Sequence, residues 1–165
     1  TNRGCPYACT FCVWGISALD KVRVFPLERS LQEIEYVAER SPAKHWVFDD
    51  ANFGILPRDL DIARKMREIA QKHGKLKWVL IWWEKNSSKH KLEISKIFGK
   101  LLYPDFAVQT LTPGVLEHSG RKNLSNKEIK KYIDGVRKEG NEVMTDILVG
   151  LPGETKQQFI DSMKN

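Results

Sequence analysis

Short apolar segments alternate with amphipathic ones of helical period along nearly all of this 165-residue chain, and that alternation restricts the fold more than any other feature. Residues 27–40 put Leu27, Leu31, Ile34 and Ala38 on one helical face, with Pro42 just past the end. Ser30 and Glu33 have capping-box spacing, which moves the expected start toward Ser30. Trp46-Val47-Phe48 reads as a short buried strand, and residues 49–54 follow as a polar loop. A helix over 58–72 carries Ile62, Met66 and Ile69 on one side, with Gly74 as its stop. Residues 76–83 are apolar on both faces, as in a parallel strand covered on each side. A helix over 89–102 and a strand over 106–111 come next. Ser125 with Glu128 opens a helix that runs to Glu139 and closes at Gly140. A strand over 143–149 leads into the turn of residues 150–153, and Thr155 with Gln158 starts a last helix bearing Phe159 and Met163.

Helices placed between successive buried strands imply βαβ crossovers and a parallel sheet, so the fold class is α/β. A closed eight-stranded barrel needs ~250 residues. The expectation is therefore an open, partial barrel, with a further strand ahead of residue 5 lying mostly before Thr1. The chain reaches its cysteines almost at once and stops inside a helix at Asn165, which reads as a piece of a longer protein lacking the start of its first strand and its last βα unit. In such sheets ligands sit at the carboxyl ends of the strands. Polar residues gather there: the Asp49–Asn52 loop, Glu84-Lys85-Asn86, Gln109, and Gly150 to Glu154.

Cys5, Cys9 and Cys12 are the only cysteines, all within eight residues, with spacers of three and two. Three thiolates so placed fit an iron–sulfur cube, which takes one thiolate per iron. Three protein ligands leave one iron open to a substrate or second cofactor. Zinc on three cysteines and a histidine is the rival, and His45, His73, His90 and His118 all lie far from the loop in sequence. Inert or redox thiols are the third reading. An odd count argues against a disulfide framework. Gly4 allows close backbone approach or a positive φ, Pro6 stiffens the turn, and Phe11 either covers the cluster or anchors the loop.

No apolar run approaches the ~20 residues of a membrane helix, and no signal-peptide pattern is present, so a cytoplasmic setting is expected. Net charge is +6, from 27 basic against 21 acidic residues, which mildly favours anionic partners. The lysines and arginines are scattered over helix faces without interleaved aromatics, so a nucleic-acid partner is not favoured.

Cys5-x-x-x-Cys9-x-Phe11-Cys12, the Phe48 to Gly54 segment, Gln109 to Arg121, and Asp146-Ile147-Leu148-Val149-Gly150-Leu151-Pro152-Gly153-Glu154-Thr155 occur in an order that resembles radical S-adenosylmethionine (SAM) enzymes of the cobalamin-binding-domain type. The resemblance spans residues 1–165. It implies a partial (β/α)6 barrel and a [4Fe–4S] cluster on Cys5, Cys9 and Cys12. The open iron would chelate SAM, whose reductive cleavage gives a 5′-deoxyadenosyl radical. It implies that the Phe11 segment lines the adenine, and that Asp50, Ala51 and Asn52 meet the SAM amino group. Gln109 and Arg121 would hold the ribose and the carboxylate, and Asp146 and Leu148 would flank the nucleoside. Asp-Asp-Ala-Asn replaces the Gly-Gly-Glu common in that superfamily, and Asp146 stands where glycine often sits. The resemblance further implies an electron donor (a reductase, flavodoxin or ferredoxin) and, in the parent protein, cobalamin held by a domain before Thr1. Cobalamin-dependent methyl transfer is the leading reaction. A methylthiotransferase-like modification of RNA or protein is an alternative, as is a non-catalytic zinc module that binds nucleic acid. The substrate is not named by the sequence.

Overall fold

The computed structural model describes residues 1–15, 20–86 and 90–164. Two short strands, β1 (Asn2–Arg3) and β2 (Arg23–Val24), pair antiparallel on either side of the cysteine loop. Helix α1 (Leu27–Arg40), strand β3 (His45–Phe53), helix α2 (Asp59–His73) and strand β4 (Trp78–Trp83) follow. Helix α3 (Lys91–Phe98), strand β5 (Leu102–Asp105), and helices α4 (Pro113–His118), α5 (Asn126–Lys138) and α6 (Lys156–Lys164) complete the described elements. The sheet order is β3–β4–β5, all parallel. The open, partial α/β architecture agrees with the alternation in the sequence, and the described residues form no closed barrel.

One side of the sheet is packed. Ile62 and Met66 of α2, Val79 and Ile81 of β4, and Ile94 and Phe98 of α3 are fully buried in one core. Each such side chain contributes about 1.5–3 kcal/mol through burial. Aromatic contacts carry the core onward: Phe53 lies 6.4 Å from Trp83, Trp83 5.9 Å from Tyr132, and Tyr132 5.4 Å from Phe106. The other side is open. Trp78, Leu80 and Trp82 are only half-buried, and Val47 and Tyr103 are exposed beside them. Burial on both faces, expected for residues 76–83, therefore holds on one face, and a cavity occupies the upper part of the other.

Several elements depart from their expected bounds. Helix α1 starts at Leu27. The Ser30 hydroxyl donates back to Pro26 O at 3.3 Å and Glu33 pairs with Arg29 at 2.7 Å, so the capping-box pattern there is spent inside the helix. The boxes at Ser125–Glu128 and Thr155–Gln158 form as expected. The strand on β3 runs through the supposed polar loop to Phe53, with an irregularity between Phe48 and Phe53. Helix α3 ends at Phe98 because Gly99 turns the chain with φ +53°; Lys89, the expected first residue of that helix, lies outside the described residues. The strand expected over 106–111 is displaced to β5. Pro104 lies within it, and its carbonyl accepts from Met144 N at 3.1 Å. The strand expected over 143–149 is present as two isolated parallel bridges, Asp105–Met144 and Gln109–Ile147. Gln109, a member of the second bridge, is in the left-handed region (φ +71°), which breaks the pleat.

Candidate functional site

The cysteine loop is held at the upper rim of the sheet by its own turns and by α4. Gly4 has φ +100°, which swings the chain from β1 into the loop. Cys12 N donates to Cys9 O at 3.0 Å, closing one turn between the last two cysteines. Thr10 N donates to Ser119 O at 3.0 Å, tying the loop to the end of α4. At Gly120 a Cβ would stand 3.0 Å from Ala8 O, so only glycine admits this approach.

Cys5 and Cys9 are 2% and 4% exposed and Cys12 is half-buried; all three are free thiols. Hydrogen-bond donors surround them. Asn52 Nδ2 donates to Cys5 Sγ at 3.2 Å, and Lys85 Nζ reaches the same sulfur at 3.9 Å. Arg121 lies within electrostatic reach of Cys9, Cys5 and Cys12. Burial lowers the Arg121 pKa, and the thiols, Cys9 foremost, oppose that shift. Its guanidinium is fixed by Nε donating to Asn123 Oδ1 at 2.7 Å and by Nη2 donating to Ala107 O.

Cys5 and Cys12 open onto a cavity of about 520 Å³, which Trp14, Lys85, Trp82 and Asp105 also line. That size suits a small-molecule or cofactor site. Asp105 is 2% exposed, and its Oδ1 has no hydrogen-bond partner. Burial raises its pKa to about 7, helped by the charge of Asp146 and a hydrogen bond with it. Asp105 pairs in register with Trp82, three residues before Lys85. Asp105 thus stands beside a residue within β4, whereas Lys85 follows the end of that strand.

The residues singled out from sequence fall in different places. Ala51 lines the cavity. Asp50 is fully buried and turned to β1: it accepts from Thr1 N and Asn2 N at 2.7 Å each, and from Thr1 Oγ1 at 2.5 Å. Its neighbour Asp49, placed among the polar strand-end residues but not among the SAM contacts, lines the cavity instead. Asn52 contacts the cysteine, and its Oδ1 is buried without a partner. Phe11 is exposed and outside the cavity lining, where Trp14 takes its place. Gln109 is buried and pairs through its backbone with Asp146 O at 2.7 Å and Leu148 N at 2.8 Å, bringing Gln109, Asp146 and Leu148 together. It is the one positive-φ residue other than glycine among the described residues, a strain of the kind found at ligand sites. Trp14, Trp82 and Asp105 were missed. A carboxylate beside apolar residues at a strand end was the available signal for Asp105.

Among the described residues no three His, Cys, Asp or Glu side chains gather as a single-ion site requires. A cubane makes no such demand, because each thiolate binds a different iron. The histidines are engaged elsewhere: His45 stacks on Trp78 at 4.7 Å, His73 faces Glu35, His90 meets Gly54 O at 3.2 Å, and His118 packs near Gly153. The donor set, the cationic surroundings and the adjoining cavity fit a cluster with an open corner better than a four-ligand zinc site.

Residues 1–165 match the family model described as the Radical SAM superfamily. Over 99% of its length the chain is 37% identical to the 2-(S-pantetheinyl)-carbapenam-3-carboxylate methyltransferase of Streptantibioticus cattleyicolor. It is 36% identical, again over 99%, to the cobalamin-dependent radical SAM methyltransferase TokK of Streptomyces tokunonensis. The chain spans about a quarter (24%) of each of these relatives. Among solved structures, TsrM of Kitasatospora setae, a radical S-adenosylmethionine methyltransferase seen with cobalamin and a [4Fe-4S] cluster, superposes with a TM-score of 0.81 at 17% identity. That match covers 99% of this chain and 30% of TsrM, and supports the fold. No helix among the described residues is long and apolar enough to cross a membrane. The chain belongs to the radical SAM superfamily.

Proposed function

We propose that the chain is the catalytic core of a radical SAM enzyme, and that its parent protein carries out a cobalamin-dependent methyl transfer. One observation carries the reading: three cysteines on one loop, two of them buried and two opening onto the cavity, faced by Lys85, Arg121 and Asn52. Cys5, Cys9 and Cys12 would hold the cluster. Bound there, a [4Fe–4S] cluster supplies the electron that cleaves the SAM sulfonium to methionine and a 5′-deoxyadenosyl radical.

The protein's own residues bind and orient. Arg121 offers a fixed cation toward the thiols, suited to the carboxylate of SAM. Asp49 on the cavity wall takes the acceptor role first assigned to Asp50, whose oxygens are already occupied by the β1 segment. Gln109, Asp146 and Leu148 form one backbone-linked edge suited to the nucleoside. Trp14 and Trp82 wall the cavity with apolar surface, which limits water near a reactive radical.

Methyl transfer rests on the two relatives at 37% and 36% identity. An electron donor of the flavodoxin, ferredoxin or reductase class, a cobalamin domain elsewhere in the parent protein and a cytoplasmic setting belong to the same proposal. The test is anaerobic reconstitution of the intact protein with iron, sulfide and a strong reductant. Production of 5′-deoxyadenosine from SAM supports the reading. Its absence with the cluster in place contradicts it, and so does purification with zinc alone.

A further inference from the structure

We propose that Lys91 is a positioning residue for the cysteine loop: it supplies the buried counter-charge that lets Glu84 grip the Tyr7 hydroxyl midway between Cys5 and Cys9. The inference rests on those cysteines holding a cluster, as argued above. The contacts form a line. Tyr7 donates to Glu84 Oε1, which also accepts from Asn86 N at 2.6 Å. The second oxygen, Oε2, lies 3.7 Å from Lys91 Nζ. The Lys91 and Glu84 side chains are 1% and 3% exposed.

Local structure does not account for a lysine here. Lys91 is the first residue of α3, at the end of a helix whose dipole disfavours a cation. Its Nζ is buried with no hydrogen-bond partner, over the face of Phe106 at 4.8 Å from the ring centroid. Burial lowers its pKa to about 8, while Glu84 pulls the other way. A buried cation costs several kcal/mol in desolvation unless something repays it. What it faces is a carboxylate equally removed from water, whose other oxygen holds the loop. Tyr7 links the loop to the end of β4, and Lys85 stacks its ammonium over the same ring at 5.4 Å. Removing the Lys91 charge leaves Glu84 buried without that counter-charge and weakens its hold on Tyr7.

The experiment measures cluster retention in the intact, anaerobically reconstituted protein, as the half-life of cluster absorbance and iron content after adding an iron chelator. Lys91→Met is expected to shorten that half-life about tenfold, a small part of the cost of unpairing a buried charge. Lys91→Arg is expected to stay within about twofold of the parent. Tyr7→Phe should match Lys91→Met, and the Tyr7→Phe/Lys91→Met double variant should lose its cluster no faster than either, because both break one line. If Lys91→Met does not fold, Glu84→Gln/Lys91→Met replaces it with a neutral pair and should show the same loss. A parental half-life in Lys91→Met, or independent addition of the two single effects, overturns the proposal. A parent protein that takes up no cluster overturns the reading beneath it, and is distinguished because it fails before any variant is compared.

Discussion

The rim of the cavity and its deeper part are built with opposite chemistry. At the rim, Cys5, Cys9 and Cys12 meet Lys85, Arg121 and the amide of Asn52. Deeper along the strands, Asp105 and Asp146 share a hydrogen bond next to Trp82, with Asp49 on the same cavity wall. The rim, lined with cations and an amide donor, suits anionic groups. The deep part favours hydroxyls, amines and whatever can settle a carboxyl poised near pH 7. A ligand with a carboxylate at one end and a hydroxyl-bearing ring at the other would lie along this gradient, and SAM has that form.

The sharpest way to break this contrast is at the sulfurs. Cys9→Ala should abolish cluster assembly, measured as iron and sulfide per chain after reconstitution, while far-ultraviolet circular dichroism stays that of the parent. Full iron content in that variant would remove Cys9 from the ligand set. Next comes the rim cation. Arg121→Ala should weaken SAM binding at least tenfold in equilibrium dialysis with the cluster present, since a hydrogen bond to a charged group is worth about 1.5–3 kcal/mol. Unchanged affinity would take Arg121 out of the site.

The deep carboxyl comes last. The folded-state pKa of Asp105, about 7, lies above its ordinary value of 3.8, so the folded protein holds this proton more tightly than the unfolded chain. Its contribution to stability is therefore fully present at low pH and is lost as pH rises between those two values. Asp105→Asn, which cannot ionise, should remove that loss, so its melting temperature relative to the parent rises across the window and levels off above it. Each unit between the two values is worth about 1.4 kcal/mol, and each 1 kcal/mol corresponds to roughly 2–4 °C for a chain of this size. A constant difference between the two proteins from pH 4 to 8 would place the titration elsewhere.

How much of this was legible in advance follows from how local each signal is. The cysteine motif needs only neighbours in sequence, and the boxes at Ser125 and Thr155 need only four residues each. Strand ends were harder. Whether Asp49 or Asp50 faces the cavity turns on strand register, where a one-residue shift exchanges the faces. The irregularity between Phe48 and Phe53 hides that register from any alternation pattern. Asp105 was missed for a related reason: the sequence placed the strand at 106–111, just after it, whereas pairing with β4 ends the strand at Asp105. Gln109 was singled out in sequence, but its positive φ accompanies contacts with Asp146 and Leu148 across nearly forty residues, which no local pattern encodes.

Electron paramagnetic resonance of the reduced, oxygen-free intact protein, recorded with and without SAM alongside metal analysis, bears most directly on the central claim. The account predicts about four irons and four sulfides per chain, with a cluster signal that changes shape when SAM occupies the open corner. Zinc in place of iron, or a cluster signal indifferent to SAM, would contradict it.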